Sequence, residues 1–255
     1  MTAAVELFQA SVERSGRRVI RSVDMAVPAG GWFGLIGANG SGKTSLLRAI
    51  AGRLPFSGGR CLIEGVDLAG ERAARARHFG FAPPADRLPD ALRVRDLLKL
   101  VGGDVDTALE RMGPVGDALG IEVLCSRRVG DCSAGMRQRA AVALAFAGGP
   151  RRIILDEPFN WLDPVAAFDL REALRARVDD GLTLITALHD LGTLATVCDA
   201  GLMLADGRVA MTLDREGLAE AAADARRFER RTIDLLRSGA PATGHGTGEQ
   251  GCRKG

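Results

Sequence analysis

Eight consecutive residues constrain this chain more than any others. Gly37-Ala38-Asn39-Gly40-Ser41-Gly42-Lys43-Thr44 fits the pattern GxxxxGK[ST]. Such a loop works only between a strand and a helix, because its backbone amides must converge on an anion while the helix N-terminus adds positive potential. The flanks agree: Trp32 to Ile36 reads as a short buried strand, and the helical pattern after the loop carries Leu46, Leu47 and Ile50. Gly37, Asn39, Gly40, Ser41, Gly42, Lys43, Thr44 and the following Ser45 are therefore the expected phosphate-binding residues, with Lys43 as a point charge and the Thr44 hydroxyl as a ligand for Mg²⁺. The plain alternative is a flexible glycine turn. Lysine scarcity weighs against it, since Lys43, Lys99 and Lys254 are the only lysines among 34 basic residues.

Composition removes several other classes. With 255 residues, 46% of them hydrophobic, the chain can bury a large core. Its 34 basic and 32 acidic residues leave a net charge of +2, which argues against a nucleic-acid partner held by bulk electrostatics, so any anion site must be local. No apolar run approaches the roughly 20 residues that span a bilayer, and Glu6 and Glu13 stand where a signal peptide would be basic and then apolar. A cytoplasmic location is expected. The five cysteines are odd in number and form no CxxC pair, so reduced thiols are the default.

Two alternating stretches, Val5 to Val12 and Val19 to Val27, flank a turn at Gly16 and predict an antiparallel pair. Further strands are expected at Arg60 to Glu64, Phe79 to Ala82, Ile153 to Leu155, Leu182 to Leu188 and Leu202 to Leu204. Between Pro83 and Asp131 the β-signals stop, and stretches such as Val94 to Val101 and Val105 to Met112 predict a helical insertion, about 83–140 with the helix that follows. After Gly217 a helix is expected to bury Leu218, Ala222, Ala225, Phe228 and Leu235. Residues 1–238 read as one domain and the glycine-rich 239–255 as a disordered tail.

Arg152-Ile153-Ile154-Leu155-Asp156-Glu157 is an apolar strand ending in two carboxylates. Alone it is as well read as an exposed turn. After a phosphate loop it reads as the element that orients Mg²⁺ through Asp156 and polarises the attacking water through Glu157. Just before it stands Cys132-Ser133-Ala134-Gly135-Met136-Arg137-Gln138-Arg139, opening the helical run Ala140 to Ala147. Ser133 by itself is equally an ordinary helix N-cap.

With these residues in this order, from about Val5 to Leu213, the chain resembles the nucleotide-binding subunits of ATP-binding cassette (ABC) transporters, and the Met-Arg-Gln-Arg stretch is similar to the bacterial exporter branch. The resemblance implies that Ser133 and Gly135 contact the γ-phosphate of ATP held by a second cassette, while Cys132, Ala134 and Met136 depart from the family signature. It implies that Asp163, in Phe159-Asn160-Trp161-Leu162-Asp163-Pro164, is the D-loop aspartate and that His189, in Leu188-His189-Asp190, is the catalytic switch histidine, brought beside the phosphate loop by the Leu182 to Leu188 strand, where a lone histidine would otherwise read as a structural hydrogen-bonder. Trp161 is read either as a dimer-seam residue or as core filling. Pro84 stands where the family has a glutamine that touches Mg²⁺, with Asp86 as a substitute. Arg14 stands in place of the adenine-stacking aromatic, in a chain without tyrosine.

The implied fold is α/β: a P-loop NTPase core with a mostly parallel sheet, an N-terminal antiparallel β subdomain and an inserted helical subdomain. The implied function is ATP binding and hydrolysis by a transporter subunit, with export the favoured direction and ATP and Mg²⁺ as cofactors. A homodimer, or a heterodimer with a related cassette, would close around two ATP molecules and work on separate membrane-spanning permease subunits at the inner face of the membrane. Two rivals stand beside it. A slow or non-catalytic nucleotide sensor is suggested by Pro84 and Arg14. A soluble cassette acting on DNA or ribosomes is disfavoured, because Cys132 follows Thr44 by only 88 positions, too few for a long coiled coil, and the chain holds one cassette rather than two.

Overall fold

The computed structural model describes residues 3–224 together with Arg226 and Arg230. Strands β1 (Ala3–Arg14) and β2 (Arg17–Pro28) pair antiparallel across a turn in which both Ser15 and Gly16 have positive φ. Strand β3 (Trp32–Ile36) is buried throughout and leads into helix α1 (Lys43–Ile50). Next come β4 (Gly58–Ile63), the two-residue β5 (Val66–Asp67), helix α2 (Arg72–His78) and the short β6 (Gly80–Phe81).

The helical insertion contains α3 (Val94–Gly102), α4 (Val105–Met112), α5 (Pro114–Ala118), α6 (Ile121–Leu124) and α7 (Ala134–Ala147), with 3₁₀ turns at Ala85–Arg87 and Val129–Asp131. The chain then returns to the sheet through β7 (Arg152–Asp156), α8 (Pro164–Asp179), β8 (Thr183–Ala187), α9 (Leu191–Val197), β9 (Ala200–Ala205), β10 (Arg208–Leu213) and α10 (Arg215–Ala223).

The sheet order is β5-β4-β1-β2-β10-β9-β3-β8-β7-β6. Its β9-β3-β8-β7-β6 half is parallel, while β1, β2, β4 and β5 are antiparallel, as are β9 and β10. A single parallel bridge, Arg208 to Ser22, joins the halves. The sheet as a whole is mixed, with the parallel strands forming the core half and the antiparallel β subdomain beside it, as expected. In open parallel sheets ligands bind beyond the carboxyl ends of the strands, and the phosphate loop, Glu157 and His189 emerge there from β3, β7 and β8.

One core lies against the helical insertion and includes Trp32, Leu98, Met112, Phe146 and Leu170. Another lies under the β subdomain and includes Leu7, Ile20, Leu46, Leu47 and Ile154. Each such side chain contributes about 1.5–3 kcal/mol on burial. Trp32 is fully buried because its indole Nε1 donates to Thr186 Oγ1 at 2.8 Å. Helix α7 is buried from Ala140 to Ala147, an all-apolar surface that suits a helix enclosed on every side.

The structure revises four sequence expectations. Strands β5 and β10 were not foreseen, and the 79–82 strand contracts to Gly80–Phe81. In α10 the buried positions are Leu218 and Ala221, whereas Ala222 is exposed, so the helix faces its neighbours through an i, i+3 pair. Ala225, Phe228, Leu235 and the 239–255 stretch lie outside the described residues. Cys61, Cys125, Cys132 and Cys198 are free thiols. Among the described residues no helix is long and apolar enough to cross a membrane.

Candidate functional site

The phosphate loop takes its form from glycines that no other residue could replace. Gly37 and Gly42 have φ of 153° and 108°, and a Cβ at Gly37 would lie 2.3 Å from the Leu204 carbonyl oxygen. A Cβ at Gly42 would lie 2.9 Å from the Val19 carbonyl oxygen. The loop is therefore wedged between β9 and β2. Asn39 and Gly40 form its exposed rim, while Ser41, Lys43 and Ser45 are buried.

Lys43 Nζ folds back over the loop, donating to the Gly37 carbonyl at 2.7 Å and reaching the Ala38 carbonyl at 3.4 Å. Burial lowers its pKa, and the charges of Glu157 and Asp156 oppose that shift. Burial likewise raises the Asp156 carboxyl above the ordinary aspartate range, with the Thr44 hydroxyl as the main opposing influence. Ser41 Oγ and Asp156 Oδ1 are buried without a hydrogen-bond partner. Unpartnered buried oxygens are uncommon in folded proteins, and here one sits in the loop and the other beside Thr44. This donor set suits a phosphate group with a hard cation held jointly by hydroxyl, carboxylate and phosphate oxygens. Among the described residues no cluster of three His, Cys, Asp or Glu side chains exists to hold an ion alone.

Glu157 leaves β7 with φ of 54°, a left-handed conformation for a non-glycine residue. Its N–H donates to the Ala187 carbonyl at 3.1 Å. Its carboxylate is gripped on both oxygens: His189 Nε2 lies 2.7 Å from Oε1, and Asn160 Nδ2 donates to Oε2 at 2.8 Å. His189 is held in turn by the start of α9, where Asp190 caps the helix by accepting from Gly192 and Thr193 N–H groups. Thus the structure brings Glu157 and His189 into direct contact. Asn160 carries no role in the sequence reading; its only signal is an amide three residues after a carboxylate in a tight turn.

Ser133 caps α7, its Oγ accepting from Met136 N–H at 3.3 Å. Among the described residues no hydrogen bond or ion pair links Ser133 to the 37–45 loop of its own chain. Gly135 is required by close approach, since a Cβ there would lie 2.6 Å from the Trp161 carbonyl oxygen. Asp163 caps α8 through Val165 and Ala166 N–H groups and pairs with Arg139 at 3.3 Å. Those cap bonds, the one from Ala166 first, hold its carboxyl below the ordinary range. Trp161 has φ of 65° and is 74% exposed, which excludes the core-filling reading and leaves its indole on the surface with Val165 and Phe168.

Pro84, with φ of −58°, precedes the 3₁₀ turn Ala85–Arg87. It borders a cleft of about 440 Å³ that also touches Thr44, Asp156, Glu157 and Gln138. Asp86 reaches the same cleft but is exposed and pairs with Arg87 at 3.7 Å. Arg14 ends β1 and borders a larger cleft of about 1130 Å³ together with Thr44, Arg48, Arg53 and Arg77.

The family described as "ABC transporter" matches residues 20–160. The chain is 30% identical over 212 residues to the Nod factor export ATP-binding protein I of Neorhizobium galegae, covering 82% of this chain and 61% of the relative. It is 34% identical over 219 residues to Protein STAR1 of Oryza sativa subsp. japonica, covering 82% and 62%. The chain therefore spans about three-fifths of the length of these two relatives. A lantibiotic transport ATP-binding protein of Streptococcus pyogenes is 27% identical over 201 residues, with 79% of this chain and 86% of the relative covered. Among solved structures, the ATP-binding subunit of an ABC transporter superposes with a TM-score of 0.76 at 26% identity, over 92% of this chain and 98% of that one. A dimeric bacterial ABC transporter cassette shares the fold, with a TM-score of 0.71 at 21% identity over 83% and 98%.

Proposed function

Because the chain belongs to the ABC transporter family, the ATP-binding-cassette ATPases, we propose that it is the catalytic ATP-hydrolysing subunit of a membrane exporter. In this reading two cassettes close head to tail around two ATP molecules. The observation that carries it is the Glu157 carboxylate, fixed between His189 and Asn160 at the end of the strand that also presents Asp156.

The residues divide the work by chemistry. Gly37, Asn39, Gly40, Ser41 and Gly42 offer backbone amides to phosphate, Ser41 and Ser45 add hydroxyls, and Lys43 exchanges the Gly37 and Ala38 carbonyls for phosphate oxygens. Thr44 and Asp156 would hold Mg²⁺, which when bound neutralises phosphate charge. Glu157 orients and deprotonates the attacking water, and His189 keeps that carboxylate in place. Ser133 and Gly135, unlinked to their own phosphate loop, serve the site of a second copy or of a paired cassette, with Asp163 beside them. Arg14 lays its guanidinium plane near the base. The exporter direction is supported by the names of the Nod factor and lantibiotic relatives. The chain works beside permease subunits at the inner membrane, on its cytoplasmic side, a reading supported by the transport names of the same relatives.

Mg²⁺-dependent ATP turnover of the purified chain tests this reading, alongside calorimetric ATP titration of the protein and of Lys43→Ala. Turnover above background, with ATP affinity lost in Lys43→Ala, is the expected result. A second reading, a nucleotide sensor, is favoured by Pro84, which offers the metal no side-chain oxygen. Tight binding without turnover would establish it instead.

A further inference from the structure

Helix α7 carries a buried glutamine with no place in the scheme above. Gln138 is 9% exposed, and a buried amide is costly unless hydrogen-bonded. Its Nε2 donates to two successive backbone carbonyls across the subdomain boundary, that of Glu157 at 3.3 Å and that of Pro158 at 3.2 Å.

We propose that Gln138 is a positioning residue that fixes the backbone of Glu157 and makes the signature helix α7 the support of the hydrolytic carboxylate. Glu157 needs that support. A left-handed non-glycine residue is strained and persists only where its surroundings over-determine it. On one side the Glu157 N–H is fastened to Ala187. On the other side the chain continues into Pro158, which has no N–H with which to fasten the turn. Within the turn the Glu157 carbonyl accepts from Asn160 N–H at 3.3 Å, and the two Gln138 bonds add the anchor from outside the turn by fixing the carbonyls that flank Pro158.

The same helix meets the same segment twice more. Gly135 abuts the Trp161 carbonyl, and Arg139 pairs with Asp163. Residues 157–163 are therefore attached to α7 at their start, middle and end. A displacement of the helix that carries Ser133 must move Glu157 with it, so engagement of Ser133 by another cassette is transmitted to the carboxylate through Gln138. Gln138 acts through Glu157 and not on the reacting atoms.

The inference rests on Glu157 being the carboxylate that acts on water, and the test separates the two. Gln138→Leu removes both donors, and Gln138→Glu keeps the size while removing them. For each variant of the full chain, kcat and KM for MgATP, ATP affinity by calorimetry, the melting temperature and the lifetime of ATP-bound dimers on a sizing column are measured. A misplacement of about 1 Å can cost on the order of 100-fold in rate. The expected result is therefore a fall in kcat of roughly 10- to 100-fold, with KM and ATP affinity within about twofold, and with ATP-bound dimers that outlast those of the unmodified protein. An unchanged kcat in both variants overturns the proposal. So does a fall in kcat that is matched by equal losses of ATP affinity and melting temperature. Absence of turnover in the unmodified protein would instead overturn the catalytic reading.

Discussion

His189 Nε2 lies 2.7 Å from Glu157 Oε1, while Asn160 holds the other carboxylate oxygen. A carboxylate fixed at both oxygens loses little entropy on meeting a water molecule, so its partners should matter to rate more than to binding. Glu157→Gln is expected to bind ATP as tightly as the parent and to lower turnover by at least about 100-fold, leaving ATP-bound dimers on a sizing column. His189→Ala should lower kcat by a smaller factor, about 10- to 100-fold, with little change in KM. Parent-like turnover in Glu157→Gln would remove that residue from the catalytic role.

Asp156 offers a pH test. Burial raises its carboxyl pKa above the unfolded value, so the fold favours the protonated acid. The stability this supplies is present below the ordinary aspartate range and is lost as pH rises through the raised pKa. At neutral pH the buried charge is a liability without its ligand. Asp156→Asn should raise the melting temperature of ligand-free protein by about 2–6 °C at pH 7.5, with a smaller gain at pH 4, while weakening Mg²⁺-dependent ATP binding. A stability loss at pH 7.5 would show that the carboxylate has a stabilising partner.

Pro84 and Asp86 share the cleft with Thr44 and Asp156. Proline brings no side-chain oxygen, and water can complete a Mg²⁺ shell in its place. The backbone at residue 84 has φ of −58°, which glutamine adopts without strain. Pro84→Gln should therefore raise turnover or Mg²⁺ affinity by a few-fold. Asp86→Ala should change neither, because Asp86 is exposed and pairs with Arg87. The reverse pattern would assign the metal to Asp86.

Trp161 presents most of its indole to solvent, so truncating it removes no core packing. Trp161→Ala should leave the melting temperature within about 1 °C. If its surface meets another cassette, the same change should weaken ATP-induced dimerisation by about tenfold, as expected for an exposed aromatic anchor. Analytical ultracentrifugation with MgATP would measure this. An unaltered dimer constant would place Trp161 outside the seam.

The sequence by itself determined the phosphate loop, the βα unit around it and the order of the chemical residues along the chain. Each of these rests on local physics: Gly37 and Gly42 answer to backbone angles, and the apolar centres of β3, β7 and β8 answer to burial on both faces. Tertiary structure alone decided the contacts between distant segments. The Glu157–His189 pair needs β7 and β8 side by side, the Gln138 bonds need α7 packed against the end of β7, and Gly135 is explained only by the Trp161 carbonyl pressed against it. The short β5 and the strand β10 were illegible for local reasons. Strand β10 forms a hairpin with its neighbour β9 across Asp206 and Gly207 but buries Ala210, Met211 and Leu213 without strict alternation, and two residues give β5 too little periodicity to register. Local angles and alternation are written in neighbouring residues, whereas a hydrogen bond between subdomains exists only once packing has brought its two ends together.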